Sequence, residues 1–367
     1  MITRVYADNF RCLVNFEWKP GRLALLLGEN GSGKTTVVEM VAALRTLITE
    51  QQPVRRTFHP GSRTRWESRL EQRFELDATV EGVSYAYSLV IEHHEHDATK
   101  SRLKSEDLVG DGTTLMSCRA GELHLFRDDG SPGPTIAADW TRSGLATIPP
   151  SKDNRRLTAF KRWLTEDVSF FAPNPRSMSD RTDDNETEGL RPDLTNIASW
   201  YPRWVASDLG SAVDAITSLK AVIPGLSGLQ VSRSAPRLEL HFAAANGTRS
   251  HVVGFEEASD GQRQLCALYA VRHAFLGAGR LAVFDEPDNY VALREIQPWL
   301  LEVIDLALVE GGPQVWFISH HPEILNQLAP NHGTRFFRQG GPVRVEPFRG
   351  VAGLTSAEVE ARGWTDG

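Results

Sequence analysis

Residues 23–27, 281–284 and 315–318 are apolar at every position. A strand that is apolar on both sides predicts burial on both sides, as in a parallel sheet covered by helices. Residues 73–92 read differently. Their apolar positions alternate, Phe74, Leu76, Ala78 and Val80, then Tyr85, Tyr87, Leu89 and Ile91, about a turn at Glu81-Gly82. That pattern predicts a β-hairpin with one buried face. Further strands are predicted at 2–5, 103–108, 113–118, 122–126, 229–232, 238–243 and 343–348. Helical patterns run from Val37 to about Leu47 and over 155–165, 201–222, 265–276 and 356–362. Residues 177–191, with Asp180, Asp183, Asp184, Glu186 and Glu188, show no apolar period and are expected to form a mobile loop.

The apolar run 23–27 leads into Gly28-Glu29-Asn30-Gly31-Ser32-Gly33-Lys34-Thr35, and Thr36 opens the helical pattern that follows. This is the phosphate-loop spelling in its strand-loop-helix setting. Glycines at 28, 31 and 33 allow positive φ and close backbone approach. The N–H groups of the loop then converge at a helix start, where the dipole favours an anion. Asn30, Gly31, Ser32, Gly33, Lys34, Thr35 and Thr36 are therefore candidate nucleotide-binding residues, with Lys34 reaching the β and γ phosphates and Thr35 ligating Mg²⁺.

The run 281–284 delivers Asp285-Glu286-Pro287-Asp288 at its tip. In such a pair the first carboxylate, Asp285, holds the metal, and the second, Glu286, orients the attacking water. That second acid points to hydrolysis. Upstream lies Ser259-Asp260-Gly261-Gln262 before the 265–276 helix. Downstream, 315–318 ends in Ser319-His320-His321.

Phosphate loop, Ser-x-Gly-Gln, Asp-Glu-Pro-Asp and strand-Ser-His, in that order, resemble the ATP-binding-cassette ATPases, specifically their SMC/RecF-like branch. The opening Ile2 to Val5 and Asn9-Phe10-Arg11 are similar to that branch's first strand and turn, and Ser259-Asp260-Gly261 is similar to the "AAA domain" proteins of bacterial defence and toxin–antitoxin operons. The resemblance implies an α/β fold, a P-loop NTPase with an ABC ATPase head, a β-rich lobe and a compact insert. It also implies ATP and Mg²⁺ as ligands, Arg11 near the nucleotide, and catalytic roles for Lys34, Glu286 and His320. Ser259, Gly261 and Gln262 would meet the γ-phosphate of a second protomer, and Asp288 would lie in the loop crossing between protomers. Two departures stand out: alanine precedes Ser259 where leucine is common, and Asp260 replaces a glycine. The family's glutamine loop has only Gln72 as a candidate.

The implied domains are 1–150, an N-terminal ATPase lobe with a β-meander; 151–250, the insert; 251–345, a C-terminal lobe with signature, carboxylates and switch histidine; and 346–367, a tail. Prolines such as Pro149, Pro173, Pro192 and Pro224 interrupt any sustained heptad, so the insert is expected to be compact rather than a coiled coil. The chain after His320 is expected to be too short for a nuclease domain.

A net charge of −7 excludes a generally basic surface, so nucleic acid would need a local patch. Two patches are candidates. Arg55, Arg56, Arg63, Arg65 and Arg69 read first as a solvated connector. Trp163, Trp200 and Trp204 near arginines read either as core or as a stacking platform for DNA. His94 and His96 on one strand face invite a metal, although a solvated hairpin tip is the plainer reading. Cys12, Cys118 and Cys266 form no CxxC pair, which argues against a disulfide framework or a zinc hook. Without a leader or a membrane-length apolar run, a cytoplasmic protein is expected. The partners implied are a homodimer held through ATP and a separately encoded effector protein, with DNA as the alternative and no membrane.

Overall fold

In the computed structural model, residues 1–95, 97–183, 189–232, 234–244 and 249–363 are described. A six-stranded sheet organises them, in the order Val168–Phe171, Leu281–Asp285, Gln314–Ile318, Leu23–Leu27, Gly333–Phe337 and Arg344–Pro347. The first five run parallel and the last is antiparallel at the edge. The continuous apolar runs sit inside this sheet, as two-sided burial requires. Leu23, Leu25 and Leu27 face one core with Phe284 and Phe317. Ala24 and Leu26 face the other with Trp316 and Ile318.

The second core lies between this sheet and an eight-stranded antiparallel sheet that includes the predicted hairpin, Glu71–Val80 and Val83–Glu92. The helix Lys34–Thr49 contributes Val37, Met40, Val41 and Leu44 to that core. A small sheet, Leu226–Val231, Leu238–Phe242 and His251–Gly254, packs Leu226, Leu229, Leu238 and Leu240 into the first core.

Several expectations are corrected. The helix expected over 201–222 is two helices, Ile197–Ser207 and Leu209–Val222. Asp208 leaves helical geometry at φ −147° and caps the second by accepting from the Ser211 N–H, the ordinary preference of aspartate at a helix start. The strand Val168–Phe171, inside the segment expected as insert, pairs with 281–284 in the main sheet. The expected 343–348 strand is Arg344–Pro347, and it pairs with Gly333–Phe337, which was not foreseen. Residues 51–70 hold short helical turns at Val54–Thr57 and Pro60–Ser62, and Arg69 pairs with Asp8 and Glu67.

Part of the acidic stretch, Asp184, Glu186 and Glu188 included, lies outside the described residues. Its N-terminal flank is pinned rather than loose. The Asp180 and Ser179 groups bond Glu256, the Asp180 carbonyl accepts from the Leu238 N–H, and Thr182 N–H donates to Pro236. The tryptophans are core: Trp163 is buried and donates to the Gly279 carbonyl, while Trp200 stacks on Trp204 and Phe275. No stacking platform is available there. Among the described residues no helix is long and apolar enough to cross a membrane.

Candidate functional site

The phosphate loop leaves the carboxyl end of the central strand Leu23–Leu27. The carboxylate strand Leu281–Asp285 and the strand Gln314–Ile318 end on the same side, because all three run parallel. Ligand sites of open α/β sheets form at that edge. Gly28, Gly31 and Gly33 take φ values of 130°, 79° and 105°, which side chains rarely tolerate. At Gly28 a Cβ would also run into the Phe336 carbonyl oxygen. The helix begins at Lys34 with no side-chain cap, so its first N–H groups are left for an anion.

Lys34 is buried and donates to the Gly28 and Glu29 carbonyls. Burial lowers its pKa, and Glu360, Asp285 and Glu286 oppose that shift. Ser32 Oγ is buried with no hydrogen-bond partner and lies 3.0 Å from the position of a Gly28 Cβ. A buried orphan hydroxyl beside uncapped N–H groups suits a phosphate oxygen. Asn30, Gly31 and Thr35 are exposed at the mouth, and Thr36 accepts from the Cys12 thiol at 3.6 Å. Arg11, at φ 49°, is paired with Glu39 one turn into the helix.

Asp285 is half-buried, and its pKa is pushed up to about 6 by burial and by the neighbouring Glu286, with Lys34 pulling the other way. Glu286 is exposed and sits at φ 48°. Its N–H donates to Ile318, and Asn289 Nδ2 donates to its carboxylate at 2.6 Å. Asp288 is turned inward, one oxygen without a partner, and burial raises its pKa against the Ser319 hydroxyl.

The doubled histidine divides its tasks. His321 caps the helix Pro322–His332, its Nδ1 accepting from the Glu323 N–H. His320 is exposed and lines a cavity with Gly28, Glu29 and Asn30.

Ser259 caps the helix Asp260–Phe275 in a reciprocal box with Gln262, at 3.2 and 3.1 Å. A Cβ at Gly261 would stand 2.9 Å from the Tyr290 carbonyl oxygen. Glycine there lets the turn after the carboxylates lie directly on the helix start. Gln264 fastens the same junction by donating to the Pro287 carbonyl at 2.8 Å. Two cavities are lined by Gly28, Glu29 and Asn30, and neither includes Ser259, Gly261 or Gln262.

Gln72 does not reach this site. It is fully buried, donating to the Asn9 carbonyl and bonding His93 at 2.8 Å. His93 in turn bonds Ser101, and burial lowers its pKa to about 4. His96, half of the expected metal pair, lies outside the described residues, and His94 is exposed. Among the described residues no cluster of three or more His, Cys, Asp or Glu could hold a metal.

Sequence reasoning missed three partners. Asn289 steadies Glu286. Arg176 donates to Asp260 at 3.1 Å and lies over Tyr290, so the unusual acid in the signature is held by a cation from another segment. Glu360, in the helix Ser356–Ala361, accepts from the Gly28 N–H at 3.1 Å. Only Asn289 carried a local signal, following the carboxylates directly.

A phosphate loop, an adjacent carboxylate pair and a parallel sheet that brings them together define a nucleotide-binding ATPase, and the protein is an ATP hydrolase. Residues 23–326 match the family described as "AAA domain, putative AbiEii toxin, Type IV TA system", and the chain belongs to that family. Among solved structures it is similar to "Crystal structure of the SmcHead bound to the C-winged helix domain of ScpA". The identity is 12% and the TM-score 0.53, over 94% of this chain and 96% of that one. "SMC head domain from Thermotoga maritima" is similar at 10% identity with a TM-score of 0.49, over 95% and 99%. At 12% identity the first of these likenesses shows the fold alone, that of an SMC head. No curated protein matches the sequence.

Proposed function

We propose that the protein is a Mg²⁺-dependent ATPase whose two copies close around ATP, and that it serves as the regulatory ATPase of a bacterial defence or toxin–antitoxin-like system. One observation carries the dimer. The exposed Ser259 and the half-buried Gly261 open a helix that lines neither cavity of the phosphate loop, which favours a second chain as the source of the signature for one nucleotide. The family description, which names a toxin–antitoxin system, supports the biological role.

In this reading Asn30 to Thr36 cradle the phosphates, and Lys34 exchanges its carbonyl partners for the β and γ oxygens. Thr35 and Asp285 would hold Mg²⁺, which would neutralise phosphate charge when bound. Asp285 is suited to that task because burial and the neighbouring Glu286 disfavour its charge, a cost that a bound cation would relieve. Glu286, steadied by Asn289, accepts the proton of the attacking water. His320 senses the γ-phosphate from the cavity it shares with Asn30. Asp288 and the turn to Tyr290 connect this site to the signature helix and would carry the nucleotide state across the dimer. Arg11 orders the first turn of the loop helix through Glu39. The segments 1–150 and 251–345 would act as the two ATPase lobes, with 151–250 and the tail 346–367 as the parts open to an effector.

The test is the solution mass of Glu286→Gln with and without ATP and Mg²⁺. A shift from monomer to dimer only with ATP is expected. A mass independent of nucleotide would sink the sandwich. The alternative reading, a DNA clamp, has lost its stacking platform because Trp163, Trp200 and Trp204 are buried.

A further inference from the structure

The helix Ser356–Ala361 is short, yet it is firmly placed. Thr355 and Glu358 cap it reciprocally, and Ser356 and Val359 are buried. The Ala357 N–H donates to Asn326 Oδ1 on the helix Pro322–His332 at 3.0 Å. That seat aims Glu360 at the phosphate loop, where its carboxylate accepts the Gly28 N–H. Glu360 and Ala361 line the cavity shared by Asn30 and His320, and also the cavity shared by Gly31, Ser32 and Arg335. Of the carboxylates acting on the Lys34 ammonium, Glu360 is the strongest, ahead of Asp285 and Glu286.

A loop built to hold a polyanion thus holds an anion of its own chain. A carboxylate at Gly28 repels the terminal phosphate of ATP, and the repulsion acts across a partly buried site where screening is weak.

We propose that Glu360 is an internal anion competing with the terminal phosphate of ATP, so that nucleotide binding lifts the tail helix off the phosphate loop. The inference rests on 28–36 being the nucleotide site, but not on the dimer. Its consequence is regulatory: a partner that captures the tail would raise ATP affinity, and one that clamps it down would lower it. In the proposed dimer, release of the tail also clears the cavity beside His320.

The test uses the full chain and the variant Glu360→Gln, which keeps an acceptor oxygen for the Gly28 N–H but removes the charge. Calorimetric titration with ATP, ADP and AMP is expected to show ATP tightened about 3- to 10-fold, ADP less, and AMP unchanged. The gap should narrow as salt rises. Hydrogen exchange of the wild-type chain should show 356–361 exchanging faster with ATP than without. Unchanged or weaker ATP binding by the variant overturns the proposal, as does protection of 356–361 by ATP. Lys34→Ala separates the two readings. If that variant binds ATP as the wild type does, the nucleotide site itself is misassigned.

Discussion

Asp285 and Glu286 are neighbours in sequence, and the backbone gives them opposite surroundings. Asp285 ends a buried strand, whereas Glu286 turns outward at a positive φ and meets Asn289. A non-glycine residue held at positive φ is sparsely populated unless its surroundings enforce it, and here the Ile318 carbonyl and Asn289 do so. Glu286→Gln is therefore expected to lower turnover about 100-fold or more while ATP affinity is retained. Phosphate release beside nucleotide binding measures both, and an unchanged rate would remove Glu286 as the base. Asp285 carries a pH signature. Its folded pKa, about 6, lies above its ordinary 3.8, so the folded chain holds an extra proton between those values. Its ionisation therefore destabilises the fold fully above about pH 6, and the penalty fades as pH falls to 3.8. Thermal melting should show Asp285→Asn more stable than wild type at pH 8 and indistinguishable near pH 3.8, although the variant is expected to lose ATP hydrolysis. A higher melting point that persists at the lowest pH would mean repacking rather than charge.

At the scale of elements, the parallel sheet ties the chemistry to the core. Phe284, one residue before Asp285, is fully buried against Phe171, Trp299 and Phe317. Phe284→Ala should destabilise the protein by about 3–5 kcal/mol and loosen the position of both carboxylates. Denaturant unfolding gives the first, and a fall in turnover larger than the fall in folded fraction gives the second. The continuous runs 23–27, 281–284 and 315–318 were legible because burial on both sides leaves no polar position. The three loop glycines were legible because their backbone angles exclude other residues. Val168–Phe171 and Gly333–Phe337 were not, since Ser169, Thr334 and Arg335 break the apolar pattern and their pairing lies far along the chain. The break at Asp208 lay inside a helix-compatible run, where one cap residue decided the matter. Glu360 and Arg176 were invisible for a related reason. Each acts on a residue far away in sequence, and nothing beside either of them announces its partner.

Across the whole molecule, the central strand Leu23–Leu27 has Gln314–Ile318 on one side and Gly333–Phe337 on the other. Both neighbours are encoded almost the length of the chain away. During synthesis the phosphate loop therefore leaves the ribosome well before these strands and then waits with both edges of its own strand unpaired, an apolar ribbon that invites wrong partners. Contacts of such long sequence separation also form slowly. Nucleotide cannot assist this stage, because the strands that would position Asp285 and His320 beside the loop have yet to arrive. The protein should depend on chaperones while it is being made far more than after it has closed, and conditions that deplete chaperones should lower its yield before they affect its activity.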